Sequence, residues 1–135
     1  MSESRNQEQE KVLFIVYQSL FLMRMGKSFE IVPLIETTLD TPYDEVSLFI
    51  RETSIKVLSH VSDLEKEIRE YCTTWKFERI NLLVIAVLMM AIGEYRYVGD
   101  VDKAIVIDVA VKLAKKYCGE KDYKFINAVL DRALD

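Results

Sequence analysis

The side chains able to do chemistry are few and scattered. One histidine is present, His60, on an otherwise ordinary helix end. No serine or cysteine stands with it in any local pattern that pairs a nucleophile with its base, so a surface or capping role suits it. Cys72 and Cys118 lack metal-ligand spacing, and no glycine-rich phosphate loop occurs. Glu65, Glu67 and Glu70 alternate with Lys66 and Arg69, a mixed run that describes a solvated helix face. The chain is therefore not expected to be an enzyme, and no cofactor or metal is implied.

The elements that must position any site are arranged around Trp75–Tyr97, whose middle, Leu82 to Ile92, is apolar at every position. A membrane span needs about 20 apolar residues. This run is shorter and is closed by Glu78, Arg79 and Asn81 before it and by Glu94 and Arg96 after it. Ala86, Met89, Met90 and Ala91 favour helix over a short buried strand. A helix apolar on all sides must be surrounded by others, and Trp75, Met89 and Met90 fit packing better than a site.

Composition agrees with one folded unit. The chain has 135 residues, half of them apolar and 30% charged, a balance that does not suggest disorder. Four glycines and two prolines, with no repeat and no Gly/Ser-rich stretch, leave no linker, so residues 1–135 are read as a single domain. The net charge of −4 confines any nucleic-acid surface to a local patch, and the last third of the chain is the least acidic. Two cysteines without a secretion signal point to a reducing, cytoplasmic setting without a disulfide.

Six further helices are expected around the central one. After a polar, frayed start, the first covers about Gln7 to Met25 and stops at Gly26. A short second helix holds Ile31, Leu34, Ile35 and Leu39, with Pro33 in its first turn. Thr41-Pro42 reads as the capped start of a third, running to about His60. Ser62-Asp63-Leu64-Glu65 reads as a capping box opening a fourth. Asp100 is expected to cap a sixth, Val101 to Tyr117, that buries Ile105, Val109 and Leu113 and ends at Gly119. A seventh, from about Asp122, buries Phe125, Ile126, Val129 and Leu130 and ties Asn127 to a neighbouring backbone. The fold class is all-α.

The order Trp75-Lys76-Phe77-Glu78-Arg79-Ile80, then Glu94, then Ala110-Val111-Lys112-Leu113-Ala114-Lys115-Lys116-Tyr117, then Lys124-Phe125-Ile126-Asn127-Ala128-Val129-Leu130-Asp131 resembles the NusB family of bacterial transcription antitermination factors. Val16-Tyr17-Gln18 and Pro42-Tyr43 extend the likeness over nearly the whole chain. The resemblance implies seven helices in two packed bundles. It also implies a protein that binds boxA-like single-stranded RNA together with the ribosomal protein NusE, in the transcription elongation complex, to support ribosomal RNA transcription.

The same resemblance marks departures and candidates. The family's arginine-rich start is reduced to Arg5 and Lys11 among Glu3, Glu8 and Glu10. Val84, Ile85 and Met89 stand where relatives carry charges, Gly93 replaces a common aromatic, Val109 a common acid and Ala128 a common glycine. Tyr17 matches an aromatic at the family's RNA surface and could stack on an unpaired base, while a half-buried tyrosine closing the first helix fits equally. Lys121 and Lys124 could meet phosphates, against the ordinary reading of a solvated face, and Phe125 fits either the RNA surface or core packing. If RNA binding has been lost, the expectation is a scaffold or homodimer, with the apolar positions of the central helix as a possible interface. A similar helical domain is fused to ribosomal RNA cytosine methyltransferases, but a chain ending at Asp135 would leave no room for the catalytic domain.

Overall fold

The computed structural model describes residues 3–72 and 76–135, in which seven α-helices and no strand are found: α1 (Arg5–Arg24), α2 (Ile31–Leu39), α3 (Leu48–Ser59), α4 (Val61–Glu70), α5 (Leu82–Gly93), α6 (Lys103–Tyr117) and α7 (Glu120–Ala133). The apolar run is the axis. Ten consecutive residues of α5, Val84 to Gly93, are buried, because the helix packs against α1, α3, α4, α6 and α7. Val84, Ile85 and Met89 are each 1% exposed. They are core, and the suggestion that they form an interface is wrong: neighbouring helices already cover them.

Helix limits differ from the sequence expectation where several polar residues compete for one cap. The first helix begins at Arg5, ahead of the expected Gln7, with Ser4 as its cap. Ser4 accepts from the Gln7 N–H at 3.2 Å while the Gln7 side chain accepts from the Ser4 N–H at 2.7 Å, a reciprocal pair that satisfies two otherwise unpaired donors. Ser4→Ala should cost about 1 kcal/mol of stability, read by urea unfolding; an unchanged midpoint would mean that the cap contributes nothing. At the other end Gly26 adopts φ 69° and donates to the Met23 carbonyl, the left-handed stop that glycine allows.

Thr41 does not cap α3. Its hydroxyl donates back to the Leu39 carbonyl, and Tyr43–Glu45 form a single 3-10 turn. Ser47 is the cap, accepting from the Ile50 N–H. Ser62 lies inside α4, which follows α3 after His60 alone, so no capping box opens it. His60 stacks on Tyr97 at 3.7 Å between ring centres, a packing role rather than a chemical one.

The central helix opens at Leu82, capped by Asn81, whose side chain accepts from the Leu83 N–H. Phe77–Arg79 before it form a 3-10 turn and Glu94–Val98 after it a π-helical turn; Trp75, expected to begin this helix and to be core, lies outside the described residues. Asp100 takes a left-handed φ of 58° instead of capping α6, whose flanking residue is Asp102. Gly119 precedes α7 rather than ending α6, which stops at Cys118.

On α6 the buried face is Val106, Val109, Ala110, Leu113 and Ala114, and Ile105 is exposed. On α7 Ile126, Val129 and Leu130 are buried as expected, but Phe125 is only half-buried and Asn127 is exposed. Asn127 therefore needs no backbone partner. It borders a shallow groove between α6 and α7 with Lys103, Ala104 and Ile107.

Candidate functional site

Two short stretches, far apart in sequence, meet where α5 begins and α7 begins. The 3-10 turn brings in Arg79, Ile80 and Asn81, and the first turn of α5 adds Val84. From the other side come Lys121, Asp122 and Phe125. Together they line a partly open cleft of about 320 Å³. Its polar ends follow from local structure. Asn81 faces the first turn because it caps α5, and Asp122 turns back to accept from the Gly119 N–H at 3.0 Å, which fixes the start of α7. Its apolar lining is Ile80, Val84 and Phe125.

The charges around the cleft are unevenly committed. Arg79 and Lys121 are exposed and form no ion pair among the described residues, whereas Lys124 pairs with Glu120 at 3.1 Å, one turn away. Such an exposed pair is worth a fraction of a kcal/mol, so Lys124 can exchange partners. A half-buried ring beside free cations can stack a base while the cations take the flanking phosphates, the usual chemistry of single-stranded RNA recognition. It holds no nucleophile and no acid–base pair.

Of the six residues singled out in the sequence, Lys121, Lys124 and Phe125 share one neighbourhood at the start of α7. Arg5 and Lys11 do not join them in a basic strip. Arg5 lies 3.8 Å over the Phe49 ring and 3.7 Å from Glu8, and Lys11 pairs with Glu3 at 2.6 Å. Tyr17 is half-buried against the core, on the α1 stripe that also carries Glu10, Phe14 and Phe21. Phe14 meets the Tyr117 ring edge-on at 5.7 Å, so this part of the stripe faces the end of α6, and Tyr17 is not among the residues that line the cleft. Arg79, Asn81 and Val84 were missed as site residues. The signal for the first two was their place in the matched Trp75–Ile80 segment and the cap that follows it.

Two carboxylates are buried among the described residues, Glu8, which faces Arg5, and Glu94. Glu94, at the end of α5, accepts from Gln9 Nε2 at 2.9 and 3.1 Å. Burial pushes its carboxyl above the usual range, opposed by the Gln9 hydrogen bond and then by the charge of Arg5. It faces α1 and is 4% exposed, which makes it structural. Among the described residues no group of acids, histidines and cysteines is placed to hold a metal, and no helix is long and apolar enough to cross a membrane.

The NusB family model matches residues 9–135. The chain is 33% identical over 112 residues to the transcription antitermination protein NusB of Trichodesmium erythraeum, an alignment that covers 83% of this chain and 52% of that protein, so the chain spans about half of that relative's length. It is 31% identical over 122 residues to the protein of the same name from Ligilactobacillus salivarius, covering 89% and 92% of the two. Among solved structures, T. maritima NusB superposes with a TM-score of 0.85 at 24% identity, covering 99% of this chain and 92% of that one. A chain in the crystal structure of a plectonemic RNA supercoil superposes at 0.77 with 17% identity, covering 96% and 94%. At these identities the two superpositions establish the fold.

Proposed function

The chain belongs to the NusB family, and on that premise we propose that it acts in transcription antitermination, holding a boxA-like single-stranded RNA together with the ribosomal protein NusE within the elongation complex. The observation that carries the RNA half is the cleft between α5 and α7: an apolar floor with Phe125 at its side, flanked by Arg79 and Lys121. Phosphate contacts supply affinity and stacking supplies the base platform. Val84, which stands where the family carries a charged side chain, is 1% exposed and offers a base no hydrogen bond, so a base here is held by stacking on Phe125.

Titrating boxA RNA into the protein, with and without NusE, at two salt concentrations tests this. Binding should weaken steeply with salt. No binding in either case at low salt would remove the proposal. In the same assay Arg79→Ala with Lys121→Ala should flatten the salt dependence by a log–log slope of about 1.4, roughly 0.7 per lost phosphate contact. Phe125→Ala should cost about 1–3 kcal/mol if a base stacks on its ring. Losses confined to a Glu65→Ala control on α4 would place the RNA elsewhere.

One observation favours a second reading, a family member acting as a protein scaffold or homodimer with weak RNA binding. The cations at the start of α1 are already matched by acids, while Leu48 and Ile55, two turns apart on α3, stand 66% and 39% exposed. Light scattering tests the homodimer. A monomer at all concentrations, with salt-sensitive RNA binding, would remove this second reading.

A further inference from the structure

The carboxyl end of α6 carries a cluster that the cleft does not use. Lys116 Nζ and the Tyr117 hydroxyl both reach one oxygen of Glu10, at 2.7 and 2.8 Å. Glu10 comes from α1, more than a hundred residues earlier in the chain. Adjacent helix residues diverge by about 100° around the axis, so Lys116 and Tyr117 would not converge on a point of their own accord; an anionic oxygen draws them together. Phe14 meets the Tyr117 ring edge-on from α1, while Lys115 turns its ammonium over the Tyr123 ring at 5.1 Å.

An ammonium and a hydroxyl donating to one oxygen is a pairing that a non-bridging phosphate oxygen also satisfies. We propose that Lys116 and Tyr117 form a second phosphodiester-binding site for single-stranded RNA, and that Glu10 fills this site in the free protein, so that RNA must displace the Glu10 carboxylate to occupy it. The inference rests on the RNA-binding reading above and adds to it a site, a ligand class and an internal competitor.

Three features make Glu10 a competitor rather than a strut. The cluster is open to solvent, with the Lys116 and Glu10 side chains 60% and 23% exposed, so a ligand can reach it. The helices it joins have other neighbours, α5 and α3 for α1, and α7 and α5 for α6. The carboxylate is fully charged when RNA would bind: the Lys116 ammonium and then the Tyr117 hydroxyl hold its carboxyl below the usual range. The same pattern recurs along the start of α1, where Glu3 and Glu8 occupy Lys11 and Arg5.

The test compares wild type, Glu10→Gln and Glu10→Gln with Lys116→Ala by fluorescence anisotropy, using a labelled boxA RNA and a labelled uridine tract, with circular dichroism to verify folding. Glu10→Gln keeps the side-chain shape and removes the charge. It should bind both RNAs about fivefold more tightly at low salt, the scale of releasing one exposed ion pair, with a log–log salt slope steeper by about 0.7 for the added phosphate. Adding Lys116→Ala should abolish the gain. If wild type and Glu10→Gln bind boxA RNA equally, the masked site is refuted while the RNA-binding reading stands. If Glu10→Gln binds both RNAs alike and wild type binds neither, the masked site stands and boxA recognition fails. Binding by neither protein to either RNA refutes both.

Discussion

Adding one methyl group at Gly93 should destabilise the protein by about 1–3 kcal/mol, although alanine is the better helix former. A Cβ built at Gly93 would lie 2.6 Å from Val57 Cγ2 and 3.6 Å from the Val57 Cα. Val57 is fully buried and β-branched, so its methyl cannot swing aside cheaply, and the backbone behind it limits retreat. Gly93 has an ordinary helical φ of −63°. The need for glycine here is the close approach of α5 to α3, not an unusual turn.

A larger side chain at Gly93 would have to displace α3. The decisive measurement is a double-mutant cycle in urea. Gly93→Ala and Val57→Ala should each destabilise, and together should cost less than the sum, because removing the Val57 methyls makes room for the new Cβ. Additive losses would show that the contact does not limit packing.

Replacing Glu94 should separate charge from hydrogen bonding. Glu94→Ala removes the acceptor of a Gln9 side chain that is 2% exposed, stranding a buried donor at a cost of about 1–3 kcal/mol, with a cavity adding to it. Glu94→Gln should instead stabilise the protein at pH 7 by about 1 kcal/mol. It keeps an acceptor for Gln9 Nε2, removes a buried negative charge that has no ion-pair partner among the described residues, and brings a donor near Gln9 Oε1, which has no partner among them.

The pH dependence follows from the raised carboxyl. A group that binds its proton more tightly in the folded state contributes its full stability below the unfolded carboxyl's pKa, and loses it as pH rises through the folded value. Wild type should therefore lose stability from this group as pH climbs from the ordinary carboxyl range toward neutrality, and Glu94→Gln should lack that loss. Urea midpoints at pH 5 and pH 7.5 read the difference. A Glu94→Gln protein less stable than wild type at pH 7.5, or equally pH-dependent, would mean the buried charge is compensated by groups other than Gln9.

The sequence by itself determined the class, the number of helices and the axis. An uninterrupted apolar run must be wrapped, and periodic apolar positions with few glycines and prolines leave helices as the way to wrap it. The matched segments from Trp75 onward then pointed to the family. Cap selection was not legible: Thr41, Ser47, Ser62, Asp100 and Asp102 have similar local preferences, and the direction in which the chain enters each packed helix chooses among them. Nor was the difference between Ile126, buried, and Asn127, exposed to a groove, which turns on where α6 lies across α7.

The tertiary structure alone decided which distant residues meet. Arg79 meets Lys121 and Phe125, Gln9 meets Glu94, and Glu10 meets Lys116 and Tyr117 across separations of about 40 to over 100 residues. Local propensity carries no information about such meetings. They arise because α5 fixes the positions of α1 and α7 around it, so whether a cation faces solvent or an acid from a distant helix is settled by packing.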